Sequence, residues 1–217
     1  MTPRDRIIDA AMTVFRRHGF RRSSIEQAAE AAGLTRQALY HHFDSKEALF
    51  RAVVERVYQN ALAAEIAAAE AKEKAGGSLA DILVAQITAR LTYLIASLDG
   101  SPHVEELFSE LGQSRDLYQK YASFSAAQGI ATIERVRAKQ KSGLRMAASE
   151  FWRCIEMAVN GTKSAHPKLQ PLDAFFRDLE IMLRTLIAGA SGPSPTPRKV
   201  KSTIAKKSSR TKPGDRK

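Results

Sequence analysis

The chain has 217 residues, 44% of them hydrophobic, a formal net charge of +11 and a single cysteine, Cys154. Such a chain is long enough for a real hydrophobic core, and one cysteine excludes an internal disulfide and a cysteine-rich metal site. The charge is unevenly placed: nine Lys/Arg against six Asp/Glu over residues 1–51, sixteen of each over 52–197, and nine against one over 198–217. An excess confined to the two ends points to nucleic acid as partner.

Thr2 caps and Pro3 opens a first helix that Gly19 ends, with Ile7, Ile8, Ala11, Val14 and Phe15 as its inward stripe. Met1 is thus followed at once by a charged, capped helix and not by a signal peptide. No apolar run approaches the roughly 18–20 residues of a membrane span. A cytoplasmic protein is expected.

A second, short helix carries Ile25, Ala28, Ala29 and Ala32 on one face. Its start is signalled by a capping box, Ser24 with Gln27 or Ser23 with Glu26, and its end by Gly33. Thr35 caps a third helix whose inward side is Ala38, Leu39 and Phe43. Asp44 with Glu47 opens a long helix running from Lys46 to about residue 75, with Leu49, Val53, Val57, Leu62 and Ile66 inward. Two short helices joined by a tight glycine turn have the pattern of a helix-turn-helix.

The later segments also read as helices, over about 79–98, 103–111, 114–142, 147–161 and 172–188, and no period-two strand is evident. From Gly189 the composition turns to Gly, Pro, Ser, Thr and Lys, too poor in apolar residues to offset the entropy of ordering. The expectation is all-α, in three parts. Residues 1–50 form a three-helix head and 51–189 a helical bundle, the boundary lying inside the long helix; 190–217 form a disordered basic tail.

Ile25, Ala28, Ala29, Gly33, Leu34, Tyr40, His41, Phe43, Lys46, Leu49 and Phe50, in this order and spacing, resemble the DNA-binding segment of the TetR family of transcriptional regulators. The resemblance covers about the first quarter of the chain. It implies a DNA-binding head, a body that holds a small-molecule effector, and a homodimer formed through the last two helices.

An α-helix fits the major groove. Thr35, Arg36, Gln37, Tyr40 and His41 are therefore the expected contacts, with Arg36 suited to guanine and Gln37 to adenine. Ser24 and Lys46, at helix starts, suit phosphates. The apolar arc Trp152, Ile155, Val159, Phe175, Leu179, Met182, Leu183 and Leu186 is wider than one packing partner needs and is the expected dimer interface. Candidate effector contacts are the polar or aromatic residues on otherwise apolar faces: Gln86, Arg90, Tyr93, Phe108, Tyr121, Phe124, Gln128 and Trp152. An inward Arg90 needs an anion, either a carboxylate such as Glu110 or an acidic ligand.

His103, Glu105 and Glu106 are the one cluster resembling acid–base or metal chemistry. They lack metal-site spacing, and no phosphate loop or nucleophile motif accompanies them. No enzymatic activity, metal or cofactor is expected. The function expected is a dimeric regulator, a repressor of a palindromic operator relieved by a small ligand. The alternative is an architectural DNA-binding protein that relies on its basic tail.

Overall fold

The computed structural model describes residues 2–140, 144–165 and 171–191, the side chains of 108, 111–113 and 163–165 aside. The described chain is helical, without a strand: α1 (Pro3–His18), α2 (Ile25–Ala31), α3 (Arg36–Tyr40), α4 (Lys46–Lys74), α5 (Leu79–Ala96), α6 (Val104–Gln113), α7 (Arg115–Gln140), α8 (Ala148–Ala165) and α9 (Leu172–Ala190). The expected tail, apart from Ala190 in α9 and Ser191 at its cap, lies outside the described residues.

Local chemistry sets the helix starts. Thr2 and Asp5 bond reciprocally at α1, and Ser24 and Gln27 do so at α2. Ser23, the other candidate for that cap, is buried and donates its hydroxyl to the Gly19 carbonyl. At α4 the cap is one residue later than the spacing suggested. Ser45 accepts from the Ala48 N–H, so the Asp44–Glu47 box is not the one used.

Two apolar clusters form. One joins Ile7, Ile8 and Phe15 of α1, Ala28 and Ala29 of α2, Leu39 of α3, Phe43, and Leu49, Phe50 and Val53 of α4. Leu98, Leu107, Leu117 and Tyr121 belong to the same cluster, so the core of the head continues into α6 and α7. Phe15, Phe20 and Phe50 pack ring to ring at 4.7–5.8 Å between centroids. The other cluster gathers Ile82, Leu83 and Ile87 of α5, Ile133 and Val136 of α7, Phe151 and Ile155 of α8, and Phe175, Leu179 and Leu183 of α9.

The later half of α4 faces inward with Ala61, Glu65 and Ala69, while Leu62 and Ile66 are only half-buried. Small residues let α5 lie close against α4, which outweighs burying the larger side chains. Contrary to the expectation that no segment approaches a membrane span, α5 is apolar and long enough, with mean hydropathy 1.4 over 18 residues. It carries Asp81 and Arg90 and packs against α4, α7 and α9.

The arc expected at a dimer interface packs largely inside the single chain. Trp152, Ile155, Val159, Phe175, Leu179 and Leu183 are buried within the single chain, and Met182 and Leu186 are half-buried. The inner faces of α8 and α9 pack on α5, α7 and each other. On the described parts of α8 and α9, the large apolar side chains left outside are Met157, 69% exposed, and Ile181, 58% exposed.

Candidate nucleic-acid interface

The turn between α2 and α3 is made by Gly33 at φ +69°, where an L side chain would be strained, and by the Leu34 N–H donating to the Ala29 carbonyl at 2.8 Å. Thr35 then caps α3 through the Ala38 N–H at 3.1 Å. Leu39 and Phe43, fully and almost fully buried, pin this short helix to the head. With those two fixed inward, Thr35, Arg36, Gln37, Tyr40 and His41 are all exposed. The five residues expected to read base edges thus sit together on or beside one five-residue helix.

Arg36 does not stand free. Its guanidinium forms a 2.7 Å salt bridge to Glu26 of α2, lies 5.4 Å from the Tyr40 ring centroid, and donates to the Tyr40 hydroxyl at 3.4 Å. The Tyr40 hydrogen bond, then the Glu26 charge, raise the pKa of Arg36. Hydrogen bonds near the start of α2, then burial opposing them, leave the Glu26 carboxyl below its ordinary value. The pairing of Glu26 with Arg36 escaped the sequence reading because the two are ten residues apart across a turn. Helix periodicity carries no signal at that separation.

The two residues expected on phosphates both have partners within the chain. The Ser24 oxygen is engaged as the cap of α2. The Lys46 ammonium donates to the carbonyls of Phe20 (3.0 Å), Arg21 (3.4 Å) and Ser23 (3.1 Å), and sits 4.5 Å from the Phe20 ring centroid. An ammonium has three N–H donors, and here three carbonyls meet them. Lys46 therefore ties the α1–α2 turn to α4.

The head is fastened to the body by polar contacts. The Arg21 N–H donates to Glu106 at 2.7 Å, and its guanidinium lies 3.6 Å from Glu110. The Ser101 hydroxyl donates to the Arg16 carbonyl at 2.7 Å. Arg51 of α4 is paired with Asp116 of α7, whose carboxyl that hydrogen bond holds down at about 2.

In the body, the candidate effector contacts separate. Arg90 and Trp152 line a cleft of about 190 Å³ between α5, α7 and α8. Gln86 is buried away from it and donates to Glu65 at 2.8 Å. Tyr93 accepts from Asn60 at 2.8 Å. Tyr121 stacks on Tyr58 and reaches Glu55. Phe124 and Gln128 face solvent on α7, and the Phe108 side chain lies outside the described residues. Glu110 is not the counter-ion of Arg90. That is Glu65, 3.9 Å away, bridged by the Ser125 hydroxyl, which accepts from Arg90 and reaches both Glu65 oxygens at 2.9 Å. Burial pushes the Glu65 carboxyl up, against the opposing pull of Gln86, Arg90 and Ser125. Glu65 was missed because it lies in an Ala- and Glu-rich helix where acids are ordinarily solvated.

Comparison with known proteins gives this geometry a context. Residues 7–53 match the sequence model for bacterial regulatory proteins of the tetR family. The HTH-type transcriptional repressor Rv1474c of Mycobacterium tuberculosis is 27% identical over 162 residues, 73% of this chain and 79% of that protein. The HTH-type transcriptional repressor KstR2 of Rhodococcus jostii is 44% identical, but over 46 residues, 21% of this chain and 22% of its own length. A crystal structure described as a tetR-family regulator from Mesorhizobium loti superposes with a TM-score of 0.64, covering 88% of this chain and 97% of the other at 16% identity. At that identity the likeness is one of fold.

Proposed function

We propose that this chain, a tetR-family DNA-binding transcriptional regulator, acts as a homodimer that represses transcription from a palindromic operator and releases it when a small molecule occupies the body. The observation that carries the reading is α3. Thr35, Arg36, Gln37, Tyr40 and His41 are exposed together, above a buried Leu39 that holds the helix in place. Gln37 offers a donor–acceptor pair to adenine and Arg36 a fork to guanine, while Thr35, Tyr40 and His41 meet thymine methyls or the backbone. The start of α4 offers its backbone dipole to a phosphate, and Lys46 holds the turn behind it. Repression follows the relatives, both described as repressors.

One head reads only a few base pairs. A two-fold dimer places two heads on half-sites about one helical turn, ~34 Å, or a multiple apart. The outer faces of α8 and α9, with Met157 and Ile181, supply the surface for it. The basic segment 198–217, outside the described residues, adds contacts to phosphates without sequence preference, and it supports the second reading of a weakly specific DNA-binding protein. Binding of the double variant Gln37→Ala/Tyr40→Ala separates the two. A regulator loses operator binding with its helical content and mass in solution unchanged. Unchanged operator affinity would count against these residues and favour the second reading.

A further inference from the structure

We propose, resting on the reading of an effector-responsive body, that the cleft between α5, α7 and α8 takes a small carboxylic acid with an apolar or aromatic body, its carboxylate on Arg90. The buried part of the wall is apolar: Ile87 and Leu91 of α5, Ile155 and Val159 of α8. One charged donor interrupts it. Arg90 has five N–H groups, of which the described contacts engage those on Nη1 alone. Trp152 of α8 also lines the cleft; it is 4% exposed, and its buried indole N–H has no acceptor among the described residues.

Arg90 meets Glu65 through Nη1, and Gln86 and Ser125 also donate to that carboxylate. With Nη1 kept on Glu65 and Ser125, Nε and Nη2 remain to meet a second carboxylate. Tyr118 and Asn160, both exposed, and Glu156, half-buried, place the polar mouth at the other side of the cleft. Glu156 would instead welcome a cation, but a cationic ligand in the cleft would face the Arg90 guanidinium and leave its fork unmatched. A volume of about 190 Å³ is below the roughly 300–1,000 Å³ of sites for drug-sized ligands, so the acid is a small one.

Trp152 is the sole tryptophan, so its fluorescence reports on the cleft without any DNA present. The full chain is titrated with benzoate, hexanoate, benzamide and benzylamine near neutral pH. At least one of the two acids is expected to change the emission saturably, with benzamide at least tenfold weaker than benzoate and benzylamine silent. Arg90→Gln is expected to erase the preference for acid over amide. Silence from both acids, an amide or amine that binds as well as the acid, or a preference surviving Arg90→Gln overturns the proposal. Should Arg90→Gln lose helical content, Ala122→Phe decides by filling the cleft from α7: a lost response supports the site, and a retained one overturns it. An acid response in a chain that binds no operator would remove the regulatory reading and keep the site. Operator binding with no acid response would do the reverse.

Discussion

Arg36 and Glu26 meet at 2.7 Å across the turn between α2 and α3, on the face proposed to approach DNA. A carboxylate beside a base-reading arginine has two effects. It holds the guanidinium over Tyr40 in a restricted pose, and it repels phosphates that would otherwise capture the same arginine. Glu26→Gln is therefore expected to raise affinity for DNA of any sequence while weakening the preference for guanine at one position of each half-site. Arg36→Ala should abolish that preference, costing on the order of tenfold in discrimination. Competition binding with single-base operator variants reads both. An unchanged base preference in Glu26→Gln would show the pair to be incidental.

Lys46 separates a structural from a DNA-contact role. Lys46→Met keeps the stem near Phe20 but removes the donors that three carbonyls now share. A loss of about 1–3 kcal/mol is expected, at about 2–4 °C in Tm per kcal/mol for a chain of this size. The salt dependence of DNA binding should stay the same. If the side chain instead neutralised a phosphate, the slope would fall by about 0.9.

Glu65 makes a pH-dependent contribution whose sign follows from its burial. Its carboxyl is raised above the ordinary value of 4.5, so between that value and the raised one the folded state holds more protons than the unfolded state. Stability from this group is present below about 4.5 and lost as pH rises through the folded value. Glu65→Gln keeps a hydrogen-bonding side chain without the charge. The difference between its Tm and that of the wild type is expected to favour the variant more at pH 7 than below pH 4.5. Thermal unfolding across that range checks it, and a gap that does not vary with pH would contradict the assignment.

Ile181, on the outer face of α9, tests the dimer surface. Ile181→Glu places a charge where two copies are proposed to meet, and little inside the chain depends on that side chain. Light scattering is expected to show dimers of the wild type and monomers of the variant, with unchanged helical content. A dimer that survives the substitution would place the interface elsewhere.

Much of the fold was legible because its signals are local. The stripe Ile7, Ile8, Ala11, Val14 and Phe15 is the buried face of α1, and the cap at Thr2 and the box at Ser24 do start helices. Legibility ended where tertiary packing chooses between equivalent readings. Periodicity marks Phe175, Leu179 and Leu183 as inward, but not whether inward means this chain or its twin. The structure buries them in the chain itself. Leu62 and Ile66 lost their expected places to Ala61, Glu65 and Ala69 because the approach of α5 favours small side chains. In the candidate site, α3 and its exposed residues were visible in sequence, whereas the Glu26–Arg36 and Glu65–Arg90 pairs join separate elements and leave no mark in spacing.

Selection of bound sequences from random duplex DNA, done in parallel with the full chain and the Gln37→Ala/Tyr40→Ala variant, tests the central claim most directly. The account predicts that the wild type enriches an inverted repeat, its half-sites about one helical turn or a multiple apart, and that the variant enriches none. Absence of any enriched repeat, or the same repeat from both proteins, would contradict it.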